Sequence, residues 1–168
     1  MKRALIGGSF DPVTVGHINL IERAAAVFDE VYAVVLDNSA KKTMFSSAQR
    51  LELLRAVCAP FPNVRTDLSH ALAADYMRQH EIGWLVKGAR NGQDYEYEDN
   101  LAEINREIGG VETVIFPALP ELRFISSTFV REMIRYGRDI APYTGAAAPL
   151  IARMTGGGQD EKIQSGKE

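Results

Sequence analysis

The residues of this chain best suited to phosphate chemistry are His17, Lys41, Lys87, Arg90 and the hydroxyl run Ser126-Ser127-Thr128. His17 closes the loop Gly7-Gly8-Ser9-Phe10-Asp11-Pro12-Val13-Thr14-Val15-Gly16-His17. Gly7 and Gly8 let backbone approach a ligand with no Cβ in the way, Ser9 adds a hydroxyl, and Pro12 stiffens the turn. Gly16 leaves the start of a helix uncrowded, so His17 projects from the first turn among free backbone N–H groups. A helix N-terminus of this kind attracts anions, phosphates above all. The loop has neither the Lys-Ser or Lys-Thr ending of a P-loop nor a G-x-G-x-x-G spacing. Taken singly, these residues are explained by a glycine turn, a helix cap or solvated charge. As a set on one edge of a sheet, they point to a site for a polyphosphate.

That common edge follows from the elements. Ala4-Leu5-Ile6 reads as a short buried strand, and Ile18, Ile21, Ala25 and Phe28 have the spacing of one helical face. Val31 to Leu36 is a β-branched run typical of a buried parallel strand. The polar stretch Asp37 to Phe45 carries Lys41-Lys42, and Ser46-Ser47-Ala48-Gln49 has the spacing of a capping box that opens a helix through Leu51, Leu54 and Cys58. Pro60 and Pro62 end that helix. A weak strand over Val64 to Asp67 and a helix over Leu72 to Glu81 follow. Trp84-Leu85-Val86 is a fourth strand, closed by Lys87-Gly88-Ala89-Arg90.

Asp94 to Ile108 reads as a helix with Tyr97, Leu101, Ile104 and Ile108 on one face, and Tyr97 looks like core. Gly109-Gly110 stops it, and Val114-Ile115-Phe116 is a fifth strand. Helices are expected over Phe129 to Tyr136 and Pro149 to Met154, which makes residues 1–154 one domain and leaves 155–168 as a disordered polar tail. Strands alternating with helices predict an α/β fold, a parallel sheet covered on both faces. In such a sheet the loops after the strands open on the edge that binds ligands. The acids around Glu98 favour a helix N-terminus, and Glu98 is also a candidate for a ribose or metal contact.

Composition narrows the class. Nineteen Lys and Arg against twenty-two Asp and Glu give a net charge of −3, no electrostatic footprint for nucleic acid. The single Cys58 excludes an internal disulfide, suits a reducing compartment and reads as a small core residue. No signal peptide or membrane span is visible, so the cytoplasm is the expected location.

Thr14-x-Gly-His17 after Gly-Ser-Phe-Asp-Pro resembles the signature of the nucleotidyltransferase superfamily, which reads Thr-x-Gly-His or His-x-Gly-His. Lys41-Lys42-x-Met-Phe, Gly88-x-Arg90, the Tyr-Glu-Tyr-Glu run and Ile125-Ser126-Ser127-Thr128 extend the resemblance over residues 3–154, in the order found in bacterial phosphopantetheine adenylyltransferases. The resemblance implies a Rossmann-like, doubly wound five-stranded sheet of order 3-2-1-4-5. It implies reversible transfer of the adenylyl group of ATP to 4′-phosphopantetheine, giving dephospho-coenzyme A and pyrophosphate. Mg²⁺ would arrive with ATP, and no metal cage of protein side chains is expected. A homo-hexamer and feedback binding of coenzyme A are implied as well.

The resemblance also implies roles. His17 would stabilise the transition state, and Lys41 would bridge the acceptor phosphate and the α-phosphate beside Ser9. Lys87 would hold the acceptor's phosphate and also border ATP. Arg90, Ser126, Ser127 and Thr128 would hold the leaving phosphates, with Gly8, Phe10, Gly88 and Glu98 near the nucleotide. Leu72 and Ala73 would line the pantetheine arm. Three departures stand out: Lys87 where the family has arginine, His70-Ala71-Leu72-Ala73 in the pantetheine-lining stretch, and Ser9 where threonine is common. Nicotinate or nicotinamide mononucleotide adenylyltransferases share the Gly-Gly and Ile-Ser-Ser-Thr segments but have histidine at the place of Thr14. A non-catalytic nucleotide-binding protein of the same fold is the other alternative.

Overall fold

The computed structural model describes residues 1–38 and 40–156. Five parallel strands form one sheet: β1 (Arg3–Gly8), β2 (Glu30–Leu36), β3 (Val64–Ser69), β4 (Trp84–Ala89) and β5 (Glu112–Pro117), in the order β3-β2-β1-β4-β5. The helices are α1 (Val15–Ala25), α2 (Ser47–Cys58), α3 (Ala73–Gln79), α4 (Gly92–Gly109), α5 (Ser127–Arg135), α6 (Ala141–Thr144) and α7 (Ala148–Gly156). The doubly wound order is therefore the expected one, and the switch point lies between β1 and β4.

Side-chain alternation along the central strands builds two cores. Ala4 and Ile6 of β1 with Val31, Ala33 and Val35 of β2 face one layer, completed by Ile21, Leu53, Leu54, Val130 and Ile151 from the helices. Leu5 and Val34 face the other, packed by Tyr76 and Met77 of α3 and by Ile82, Leu85 and Val111. Cys58 lies buried in the larger core.

Several boundaries differ from the sequence reading. The weak third strand runs two residues longer, through Ser69, because it pairs with β2 along its whole length. Helix α1 stops at Ala25, so Phe28 is buried by the turn beyond the helix rather than by the helix itself. Strand β4 continues through Ala89, which places Lys87 and Gly88 on the strand rather than after it. Short α6 gave no periodic signal. Helix α7 includes Thr155 and Gly156; the rest of the expected tail lies outside the described residues.

One correction concerns α4. Tyr97, expected in the core, is 63% exposed, and this helix buries no residue fully. The helix packs over β4 and β5, the last two strands, and its outer turns have no further sheet beneath them.

Candidate functional site

Three features of the first loop set His17. Thr14 caps α1: its Oγ1 accepts from His17 N at 3.4 Å, and its backbone N donates to His17 Nδ1 at 3.0 Å. A histidine thus takes the place that Glu or Gln holds in the usual reciprocal box. A backbone amide can only donate, so Nδ1 is the acceptor and the proton of the neutral ring sits on Nε2. Phe10 meets the imidazole edge-on with ring centroids 5.0 Å apart. Phe10 itself is buried at φ 46°, a left-handed conformation costly for a bulky residue, and its packing holds it there. Burial, and secondarily the Arg90 charge, lower the His17 pKa to about 4.

The glycines of the loop divide their work. A Cβ on Gly7 would stand 2.5 Å from Leu36 Cδ1, so Gly7 serves the packing of β1 while also bordering the cavity at the carboxyl ends of β1 and β4. A Cβ on Gly8 would meet the Phe10 ring at 3.4 Å.

A cavity of about 330 Å³ opens at the carboxyl ends of β1 and β4. It brings together Gly8, Phe10, His17, Lys87, Gly88, Arg90, Glu98, Ser126 and Ser127 of the residues picked out from sequence, and adds Asn19, Arg23 and Phe116. Arg23 lies over the Phe116 ring at 4.7 Å and donates to the Pro117 carbonyl at 2.8 Å. Arg90 is held by Asp94, whose Oδ2 accepts from its Nε at 2.8 Å; that bond keeps the Asp94 carboxyl below its usual range. Lys87 Nζ stands 3.1 Å from Glu98 Oε2 but off its hydrogen-bonding direction, and donates to Oε1 at 3.4 Å. The buried Oε2 is left without an aligned donor.

The hydroxyls ahead of and within α5 are already engaged. Ser126 Oγ caps the helix by accepting from Phe129 N at 3.1 Å, and Ser127 Oγ donates to the Pro12 carbonyl at 2.8 Å. Thr128 Oγ1 accepts from Arg131 at 3.0 Å and lies outside the cavity wall. Any anion met here would therefore find the backbone N–H groups of α5 before the Ser127 hydroxyl.

A second cavity of about 230 Å³ lies on the other side of the loop, bordered by Ser9, Asn38, Lys41, Thr43 and Arg50. Lys41 borders it and Lys42 does not, and among the described residues Gly8 alone borders both cavities. Leu72 and Ala73 border neither: Leu72 is the N-cap of α3 and 76% exposed. His70, just ahead of them, also borders neither cavity, and its Nδ1 is 3.3 Å from Asp37 Oδ2.

Sequence reasoning missed Asp11, Asn19, Arg23, Arg50 and Arg131. Asp11 sat in plain view between Phe10 and Pro12. The others occupy helix positions where an Asn or Arg is ordinarily solvated, and no spacing marks them.

Comparison with known proteins identifies the family. The family model described as cytidylyltransferase-like matches residues 5–133. Phosphopantetheine adenylyltransferase of Streptomyces coelicolor is 43% identical over 141 residues, covering 84% of this chain and 89% of that protein. The enzyme of the same name from Phocaeicola vulgatus is 40% identical over 143 residues, covering 85% and 95%. Two solved structures share the fold at 22% identity. A Vibrio parahaemolyticus protein provisionally named a nicotinate-nucleotide adenylyltransferase superposes with a TM-score of 0.70 over 92% of this chain and 94% of its own. A lipopolysaccharide core biosynthesis protein of Thermoplasma volcanium does so with 0.53 over 71% and 97%. The chain belongs to the cytidylyltransferase-like family and, within it, to the phosphopantetheine adenylyltransferases.

Proposed function

We propose that the protein transfers the adenylyl group of ATP to 4′-phosphopantetheine, releasing pyrophosphate and forming dephospho-coenzyme A. The observation that carries the residue-level reading is the meeting of two cavities at Gly8, with His17 on one side and Lys41 with Ser9 on the other. ATP occupies the larger cavity and the acceptor's phosphate enters from the smaller one. An acceptor oxygen attacks the α-phosphorus, the bond to the β-phosphate oxygen breaks opposite to it, and pyrophosphate leaves. The acceptor is already an anion, so the step needs alignment and charge stabilisation rather than a base.

The neutral His17 donates its Nε2–H to an α-phosphate oxygen, a bond that strengthens as charge builds there. Lys41 bridges the α-phosphate and the acceptor phosphate across Gly8. Arg90 and the N-terminus of α5 hold the leaving phosphates. Lys87, carried by β4 into the larger cavity, serves phosphate as a point charge whose pairing with Glu98 must loosen or be shared when ATP enters. Leu72 and Ala73 border the arm of the acceptor beyond the smaller cavity.

The donor set fits a Mg²⁺ brought by the nucleotide. Among the described residues no three His, Cys, Asp or Glu side chains gather, and the one carboxylate bordering the ATP cavity, Glu98, is paired with Lys87. Bound to the phosphates and water, Mg²⁺ would neutralise charge on the leaving group.

The reading includes a homo-oligomer, a hexamer by family resemblance, feedback binding of coenzyme A, and a cytoplasmic location. Among the described residues, no helix is long and apolar enough to cross a membrane. Pyrophosphate release from Mg-ATP, compared with 4′-phosphopantetheine and nicotinate mononucleotide as acceptors, tests the function. Release with the first alone is expected, and release only with the second would overturn the acceptor.

A further inference from the structure

Asp11 is a buried carboxylate to which the reaction above gives no task. It is 4% exposed, and its side chain faces backbone rather than apolar core. Oδ2 accepts from Met44 N at 2.8 Å and Oδ1 from Phe45 N at 2.9 Å. Both amides lie at the end of the loop that carries Lys41. Arg50 grips the same loop from α2 and is 1% exposed. Its Nε donates to the Phe45 carbonyl at 3.2 Å and its Nη1 to the Ser9 carbonyl at 2.9 Å, while Nη2 pairs with Asp37 at the end of β2.

Burying a carboxylate and a guanidinium is costly, and apolar side chains often stabilise a core better. Asp11 accepts from backbone amides of the segment that carries Lys41 and lies 3.8 Å from the Arg131 guanidinium, whereas Arg50 divides between two backbone carbonyls and the Asp37 carboxylate. The Asp11 backbone is tied as well. Arg131 of α5 donates to the Asp11 carbonyl at 2.7 Å and to Thr128 Oγ1 at 3.0 Å. Lys41 itself is exposed, on a flexible four-carbon stem. The position of its ammonium over Gly8 therefore depends on where the loop backbone is held.

We propose that Asp11 and Arg50 are positioning residues that clasp the Lys41 loop onto the first loop and so set the place of the Lys41 ammonium between the two cavities. The inference rests on the adenylyl-transfer reading, and it assigns work to Asp11, which borders neither cavity, and to Arg50, which borders the smaller one. Asp11→Asn keeps the shape but replaces one acceptor by an NH₂ that faces a backbone amide. A misplaced Lys41 should lower kcat/KM for the acceptor on the order of 10- to 100-fold, while ATP still binds in the cavity of His17.

The test is a double-mutant cycle on pyrophosphate release, run with whichever of the two acceptors the wild type turns over. If the clasp acts through Lys41, Asp11→Asn costs much in the wild type and little in a Lys41→Ala background. Faster amide exchange at Met44 and Phe45 in Asp11→Asn should accompany the loss. Equal, additive losses in both backgrounds would overturn the proposal, as would an Asp11→Asn enzyme with wild-type turnover. Should Asp11→Asn fail to fold, Arg50→Lys carries the same cycle with the same outcomes, because it keeps the charge and loses the three-way fork. A wild type that turns over neither acceptor would sink the reading and the clasp's catalytic role together; additivity in an active wild type sinks the clasp alone.

Discussion

At the scale of single residues, His17 shows how a backbone contact decides chemistry. With Nδ1 taken by the Thr14 amide and the pKa lowered to about 4, the ring is a neutral Nε2–H donor from pH 5 upward. His17 titration should therefore leave no break in the turnover profile between pH 5.5 and 8, a range chosen about 1.5 units or more above that pKa. Stability should respond instead. Between about pH 6.5 and 4 the unfolded chain's His17 takes a proton that the folded one refuses, so stability rises with pH through this window. The contribution is complete above 6.5 and falls by an amount on the order of 3 kcal/mol as the pH drops to 4. His17→Gln keeps a capping partner for Thr14 and cannot titrate. Urea melts at pH 7 and 4.5 should show a smaller pH difference in this variant, and turnover should drop on the order of 10²- to 10³-fold, as for loss of one transition-state donor. An equal pH difference in both proteins would refute the neutral His17. Cys58 gives a simpler check: burial pushes its thiol up to about 12, so a thiol reagent at pH 8 should label it only on unfolding.

At the scale of elements, the site is a meeting of loops tied to one another by side chains. Ser127 is the clearest tie, because its hydroxyl donates to the Pro12 carbonyl 115 residues away. Ser127→Ala should cost about 1 kcal/mol of stability, the usual net worth of one hydrogen bond. ATP affinity should change little, since the α5 backbone amides remain; a large loss of affinity with stability unchanged would mean that the hydroxyl contacts phosphate instead. Such ties also mark what was legible in the sequence. The strands, their parallel pairing and the cavity-lining residues His17, Lys87 and Arg90 follow from apolar runs, alternation and residue type. Asp11, Arg50 and Arg131 do not, because each acts on backbone groups of another segment, and no local pattern records a partner that far along the chain. Lys87, expected at both ATP and the acceptor's phosphate, borders the same cavity as His17 and Arg90, because β4 runs three residues past Val86.

At the scale of the whole molecule, periodicity and burial part company on α4. Tyr97, Leu101, Ile104 and Ile108 form one stripe, the pattern that normally faces a core, yet Ile104 is 50% and Ile108 76% exposed in the single chain. Periodicity states that a face must be covered and not what covers it. The sheet ends at β5 on this side and the described residues leave the stripe exposed; a second copy is the occupant consistent with the proposed oligomer. Ile104→Glu combined with Ile108→Glu places two carboxylates on the stripe without touching either cavity. Both positions are solvent-facing in the single chain, so the variant should fold. Sedimentation equilibrium should then report an assembly for the wild type and a smaller species for the variant. A wild type that sediments as one chain would remove the assembly, and an unchanged mass in the variant would move the interface to another face.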